Sequence, residues 1–173
     1  MAEVYLSLGS NINRTHYICA ALDGLTTLFG ELVCSSVYES EAVGFEGDNF
    51  YNLVVGLHTA LTPSELVKAL KNLETENGRD RAVARFSART LDVDILSYDR
   101  LVGQHSGLTL PRDEITENAF VLQPLAEICP DGLHPILNIS YRNLWQRFDK
   151  SGQHLWPINF TFPLTSTSAQ HVG

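Results

Sequence analysis

The sequence predicts an α+β sandwich, a mostly antiparallel sheet with helices packed on it. Three observations lead there. Strand-like and helix-like stretches follow one another as β-α-β and again β-α-β. The second of those helices opens on the strongest start signal in the chain. No internal repeat or low-complexity stretch interrupts the order before the last few residues.

Residues 3–8 (EVYLSL) alternate apolar Val4, Leu6 and Leu8 with Glu3, Tyr5 and Ser7, the period of a half-buried strand. Gly9-Ser10-Asn11 supplies turn chemistry after it. Over residues 14–29, Ile18, Leu22, Leu25 and Phe29 recur at helical spacing, and Gly30 stands where a helix-ending glycine belongs. Residues 32–38 read as a second strand, 39–49 as a polar loop, and 50–59 (FYNLVVGLHT) as a largely apolar third strand. Thr62-Pro63-Ser64-Glu65 then provides an N-cap, a proline at the first helical position and a carboxylate three residues after the cap. Leu66, Leu70 and Leu73 line one face of the helix that follows, which runs to Asn77 with Gly78 as its stop. Residues 90–98 (TLDVDILSY) form another strand, and Leu110-Pro111 breaks the chain before a helix over about 117–128. A short helix is expected over 141–148, and 154–162 has β-like composition. Such an order gives a ferredoxin-like βαββαβ sandwich with a C-terminal extension. We expect one domain over residues 1–162 and a frayed tail over 163–173.

Composition narrows the function. The 173 residues carry 12 Lys+Arg against 20 Asp+Glu, a net charge of −8, which argues against nucleic-acid binding. No apolar run approaches the roughly 20 residues needed to span a bilayer, so no membrane role is expected. Cys19, Cys34 and Cys129 are too scattered for a disulfide framework or a zinc site. With no signal-peptide core after Met1, they read as reduced thiols of a cytoplasmic protein.

Chemistry concentrates in residues 79–94 (RDRAVARFSARTLDVD). Four of the twelve basic residues (Arg79, Arg81, Arg85 and Arg89) fall there, and none is lysine. Arginine presents a rigid fork of donors suited to phosphate oxygens. A solvated loop with its arginines paired to nearby acids is the plain alternative. Asp92 and Asp94 follow in the strand, two apart and therefore on one face, roughly 6 to 7 Å from each other. Two such carboxylates among apolar neighbours are costly unless a cation sits between them, and Mg²⁺ favours oxygen ligands. An arginine loop running into an acid pair suits a magnesium–nucleotide complex. No Gly-x-x-x-x-Gly-Lys-Ser/Thr loop is present.

These residues sit in a sequence that resembles the 6-hydroxymethyl-7,8-dihydropterin pyrophosphokinases of folate synthesis. The likeness begins at Tyr5-Leu6-Ser7-Leu8-Gly9-Ser10-Asn11 and continues through Ser36-Val37-Tyr38-Glu39-Ser40 and Phe50-Tyr51-Asn52. It peaks over Arg85 to Leu96 (RFSARTLDVDIL) and extends through Phe120-Val121-Leu122-Gln123-Pro124-Leu125. The resemblance implies transfer of a pyrophosphoryl group from ATP to the pterin alcohol. It makes Asp92 and Asp94 ligands of two Mg²⁺ ions and, with Arg79 and Arg89, the catalytic set. Glu74, Arg79, Arg81 and Arg89 correspond to residues at the ATP site. Ser40, Val43, Phe50, Asn52 and Phe120 correspond to the pterin pocket, with the two phenylalanines stacking the ring. The partners implied are small molecules alone, for a monomer or weak dimer.

Four stretches depart from the family pattern. A Trp-Gly-Pro-Arg run is here Phe86-Ser87-Ala88-Arg89, paired prolines become Glu41-Ala42, a His-Tyr pair becomes Arg112-Asp113, and an arginine becomes Asn118. Arg112 is suited to a phosphate, whereas Asp113 adds unwanted negative charge unless it turns outward. Besides the enzyme, two readings stay open: a regulatory pterin-binding paralogue with weakened ATP use, and a ferredoxin-like interaction module.

Overall fold

A computed structural model describes residues 1–41, 48–78 and 90–161. In chain order the main elements are β1 (Ala2–Ser10), α1 (Arg14–Phe29), β2 (Val33–Cys34), β3 (Tyr38–Ser40), β4 (Phe50–Thr59), α2 (Pro63–Glu76) and β5 (Asp92–Tyr98). A hairpin of β6 (Gly103–His105) and β7 (Leu108–Leu110) follows, then α3 (Glu114–Glu117), α4 (Ala119–Ile128), α5 (Tyr141–Arg147) and β8 (Leu155–Pro157).

The main sheet runs β5-β1-β4-β3-β8, with β2 also pairing β4. Every pairing in it is antiparallel. This is the ferredoxin-like βαββαβ arrangement: each helix crosses over one strand position, so sequential units interleave instead of lying side by side. β1 is central and holds long registers with both β4 and β5.

One face of the sheet buries Val4, Leu6, Leu8, Leu53, Val55, Leu57, Val93 and Ile95 against Ile18, Leu22 and Leu25 of α1 and Leu66, Leu70 and Leu73 of α2. The helical stripes read from the sequence are those that pack. The opposite face buries Val54 and Leu96 against Ile115, Val121, Leu122, Leu125 and Tyr141. The C-terminal helices are therefore a third layer, which explains why β4 is largely apolar and does not alternate. The capping box of α2 forms as expected: Glu65 N donates to Thr62 Oγ1 at 3.2 Å, and Thr62 N donates to Glu65 Oε1 at 3.0 Å.

The structure corrects several boundaries. The strand expected over 32–38 is two short pieces, β2 and β3. Between them, Ser35 N still donates to Val54 O at 2.9 Å, but side chains take over the rest: Val54 N donates to Ser35 Oγ at 2.9 Å, while Ser36 N and Oγ donate to Glu127 Oε2 at 2.8 and 3.0 Å. Tyr38 donates its hydroxyl to Glu127 Oε1 at 2.7 Å. The strand expected over 90–98 begins at Asp92. The helix expected over 117–128 is broken at Asn118, whose φ of −118° and ψ of 122° are extended. The β6–β7 hairpin went unread; Ser106 and Gly107, both at positive φ, form its turn. The three cysteines are free, and burial pushes the Cys34 thiol up to about 12, as befits a packed side chain. Among the described residues, no helix is long and apolar enough to cross a membrane. The tail expected to fray lies outside the described residues.

Candidate active site

Sheet register decides which of the sequence candidates meet. Asp92 stands opposite Gly9, Gly9 opposite Asn52, and Asn52 opposite Tyr38, a row across four strands. Asp94 stands opposite Ser7 one row along, and Ser40 opposite Phe50 on the other side. Directly paired residues project to the same face of a sheet. Asp92, Asp94, Asn52, Phe50 and Ser40 thus share the face that α4 covers.

At the Asn52 end, the amide is buried and its Nδ2 donates to Ser40 Oγ at 2.9 Å. Ser40 thereby fixes the amide plane and leaves the carbonyl and one N–H for a ligand edge. Gly9 forms the floor beside it. A β-carbon there would lie 3.1 Å from Asn52 Oδ1 and 3.7 Å from Phe50 Cδ1. Phe120, the second residue of α4, lines a cavity of about 80 Å³ together with Ser40, Glu41 and Leu155.

At the acid end, β5 is the edge of the sheet, so its outward N–H groups need partners. Buried Glu74 of α2 provides one: its Oε2 accepts from Val93 N at 2.8 Å, between the two aspartates. Glu74, Asp92 and Asp94 line a cleft of about 150 Å³ with Lys71, Leu70, Leu108 and Arg112. The Asp94 side chain keeps 27% of its exposure, yet its carboxyl is pushed up to about 7. Burial is the main cause, the charge of Asp92 the second, and Glu114 and Glu74 add to it. Arg112 opposes the rise, with Nη2 3.7 Å from Asp94 Oδ2. Glu114 holds Arg112 there, its Oε1 accepting from Nη2 at 2.7 Å and Nε at 3.1 Å. Asp113 is exposed and does not line the cleft.

A raised carboxyl beside a second carboxylate marks a shortage of positive charge, which a bound dication would relieve. Among the described residues no group of three or more His, Cys, Asp or Glu forms a complete metal cage. Two carboxylates with the remaining positions left to water and phosphate suit Mg²⁺, which dehydrates reluctantly.

The structure brings Ser40, Phe50, Asn52, Asp92 and Asp94 onto one sheet face, sets Phe120 above it, and places Glu74 at its edge. Arg79, Arg81, Arg89, Val43 and the Phe86-Ser87-Ala88 departure lie outside the described residues.

A family model described as 7,8-dihydro-6-hydroxymethylpterin-pyrophosphokinase matches residues 5–130. The chain belongs to this family. The pyrophosphokinase chain is 40% identical over 138 residues to the 2-amino-4-hydroxy-6-hydroxymethyldihydropteridine pyrophosphokinase of Aquifex aeolicus, covering 79% of this chain and 86% of that protein. It is 40% identical over 129 residues to the enzyme of the same name from Bacillus subtilis, covering 72% and 77% respectively. The folic acid synthesis protein fol1 of Pneumocystis carinii is 33% identical over 147 residues, which span 83% of this chain and 20% of that longer protein. Crystal structures of Plasmodium falciparum HPPK-DHPS share the fold, one with a TM-score of 0.68 at 15% identity over 84% of this chain and 44% of that one.

Two features of this pyrophosphokinase went unread as site residues. Gly9 reads in sequence only as a turn, and its place as the floor between Asp92 and Asn52 needs the register of three strands. The hold of Glu114 on Arg112 could have been suspected from their spacing of two, but not its direction toward Asp94.

Proposed function

We propose that the chain transfers a pyrophosphoryl group from ATP to 6-hydroxymethyl-7,8-dihydropterin, giving the pterin diphosphate and AMP, with Asp92 and Asp94 as ligands of two Mg²⁺ ions. The observation that carries this reading is the row Asp92, Gly9, Asn52, which sets an acid pair two strands from a buried amide with only a glycine between them. An amide edge reads the pterin heterocycle, and the adjoining acids mark where its hydroxymethyl group and the phosphates meet.

In this reading Asn52, oriented by Ser40, pairs with the ring, and Phe50 and Phe120 stack on it, with Val43 completing the pocket. The hydroxymethyl oxygen attacks the β-phosphorus of ATP and the bond between the β-phosphorus and the α,β-bridging oxygen breaks, releasing AMP. The hydroxyl proton is lost to solvent. Bound Mg²⁺ supplies charge neutralisation for the phosphate oxygens. The nucleotide occupies the cleft walled by Glu74 and Leu108, with Arg79, Arg81 and Arg89 on the triphosphate and Arg112 within reach of it. Catalysis is then alignment and electrostatics, with no covalent intermediate on the protein. The protein works on small molecules in the cytoplasm, as a monomer or weak dimer.

The regulatory reading is disfavoured by the acid end. Arg112 adds a cation to the cleft where the family pattern had a histidine, and Asp113 does not line it, so these two departures are compatible with a phosphate there. The test is AMP formation from ATP on adding the pterin alcohol, with Mg²⁺ present and then chelated. Pterin-dependent AMP that disappears with the chelator supports the proposal. Pterin binding without any AMP favours the regulator.

A further inference from the structure

Phe120 follows directly on a helix break that a residue outside the motifs bridges. The break between α3 and α4 leaves Asn118 as the N-cap of α4, but its side chain makes no capping bond to the helix. Asn118 Nδ2 instead donates to Glu114 Oε2 at 3.3 Å. The N–H of Ala119, a residue only 1% exposed, would then lie buried without an acceptor, which is costly. Gln153 supplies one from 34 residues away: its Oε1 accepts from Ala119 N at 2.7 Å. Its Nε2 donates to Glu117 O at 2.9 Å, so one side-chain amide bridges both sides of the break.

The same short stretch is anchored at the substrate side of the sheet. Leu155, two residues on, pairs with Ser40, whose hydroxyl accepts from the Asn52 amide. Gln153, Phe120 and Ser40 meet on the walls of the cavity of about 80 Å³. That free space gives the start of α4 somewhere to settle if the bridge is lost.

We propose that Gln153 is a positioning residue of the pterin site, fixing the first turn of α4 and so the gap between Phe120 and the Ser40–Asn52 pair. This rests on the reading of Phe120 and Asn52 as pterin residues. Gln153 acts through the backbone at residues 117–119 and does not touch the substrate.

The test is calorimetric titration of the full chain with 6-hydroxymethyl-7,8-dihydropterin in the presence of Mg²⁺ and a non-hydrolysable ATP analogue, well below the melting temperature. Gln153→Leu, close in size but without hydrogen bonds, is expected to weaken pterin binding by about tenfold and nucleotide binding by less than about twofold. Gln153→Glu keeps an acceptor for Ala119 N at a helix start but loses the donor to Glu117 O, and is expected to recover only part of the loss. In a Phe120→Ala background, Gln153→Leu should add nothing further, because its effect passes through that ring. If Gln153→Leu does not fold, Gln153→Asn, too short to span both partners, takes its place. Unchanged pterin affinity, an equal loss for the nucleotide, or full additivity with Phe120→Ala overturns the proposal. If the unmodified protein takes up no pterin, the functional reading falls and this one with it. If it binds and Gln153→Leu is neutral, only this one falls.

Discussion

Asn52 and Gly9 face each other across β4 and β1 so closely that a β-carbon at residue 9 would crowd the amide oxygen. A contact of 3.1 Å from a β-carbon to Oδ1 is tighter than ordinary packing, so the amide or the strand must give.

Gly9→Ala should therefore disturb the substrate end selectively. Displacing a buried amide from its partner costs about 1 kcal/mol, or roughly fivefold to tenfold in affinity. We expect KM for the pterin to rise by that factor while KM for ATP is unchanged. Gly9→Val should cost more. Steady-state kinetics with each substrate varied in turn checks both.

The acid pair should behave differently. Asp92→Ala and Asp94→Ala are each expected to lower turnover by about a thousandfold or more, the scale of losing preorganised charge stabilisation. Pterin affinity should fall far less. Parallel measurements of kcat and of pterin binding separate this from a structural role, for which fold, binding and turnover would decline together.

Asp94 also makes the metal-free fold pH-dependent. Its carboxyl is raised to about 7, chiefly by burial and by Asp92. The folded chain therefore holds this proton more tightly than the unfolded chain, and the stability it gains below the ordinary carboxylate range is lost as pH rises through about 7. Asp94→Asn mimics the protonated form, so its advantage in melting temperature over the unmodified protein should be larger at about pH 8 than at about pH 5, in chelator. Added Mg²⁺ at about pH 8 should raise the melting temperature of the unmodified protein and have little effect on Asp94→Asn.

Glu127 carries a purely structural prediction. Glu127→Ala removes the carboxylate that accepts from the N–H and hydroxyl of Ser36 and the hydroxyl of Tyr38, and should destabilise the protein by about 2 to 4 kcal/mol. Glu127→Gln keeps an acceptor and should cost less. Denaturant unfolding measures the difference.

How far the sequence could be read follows the range of the interactions. Local signals were legible: the Thr62–Glu65 capping box, the leucine stripe of α2, and the spacing of Asp92 and Asp94 all form as their own neighbourhoods dictate. The break in the strand after Cys34 was not, because its cause is Glu127, 91 residues from Ser36. The break at Asn118 was hidden for the same reason, since the group that completes α4 is Gln153. At the site, composition and resemblance named the side chains, but only register shows that Asp92 and Asn52 are separated by a glycine. The arginines of residues 79–89, expected from their chemistry to suit phosphate, lie outside the described residues.

The most direct test is a crystal structure with Mg²⁺, a non-hydrolysable ATP analogue and 6-hydroxymethyl-7,8-dihydropterin bound together. The account predicts metal density on both Asp92 and Asp94, the pterin ring against Asn52 between Phe50 and Phe120, and the hydroxymethyl group directed over Gly9 toward the acids. Aspartates free of metal and open to bulk water, with the nucleotide or the pterin bound elsewhere, would contradict it.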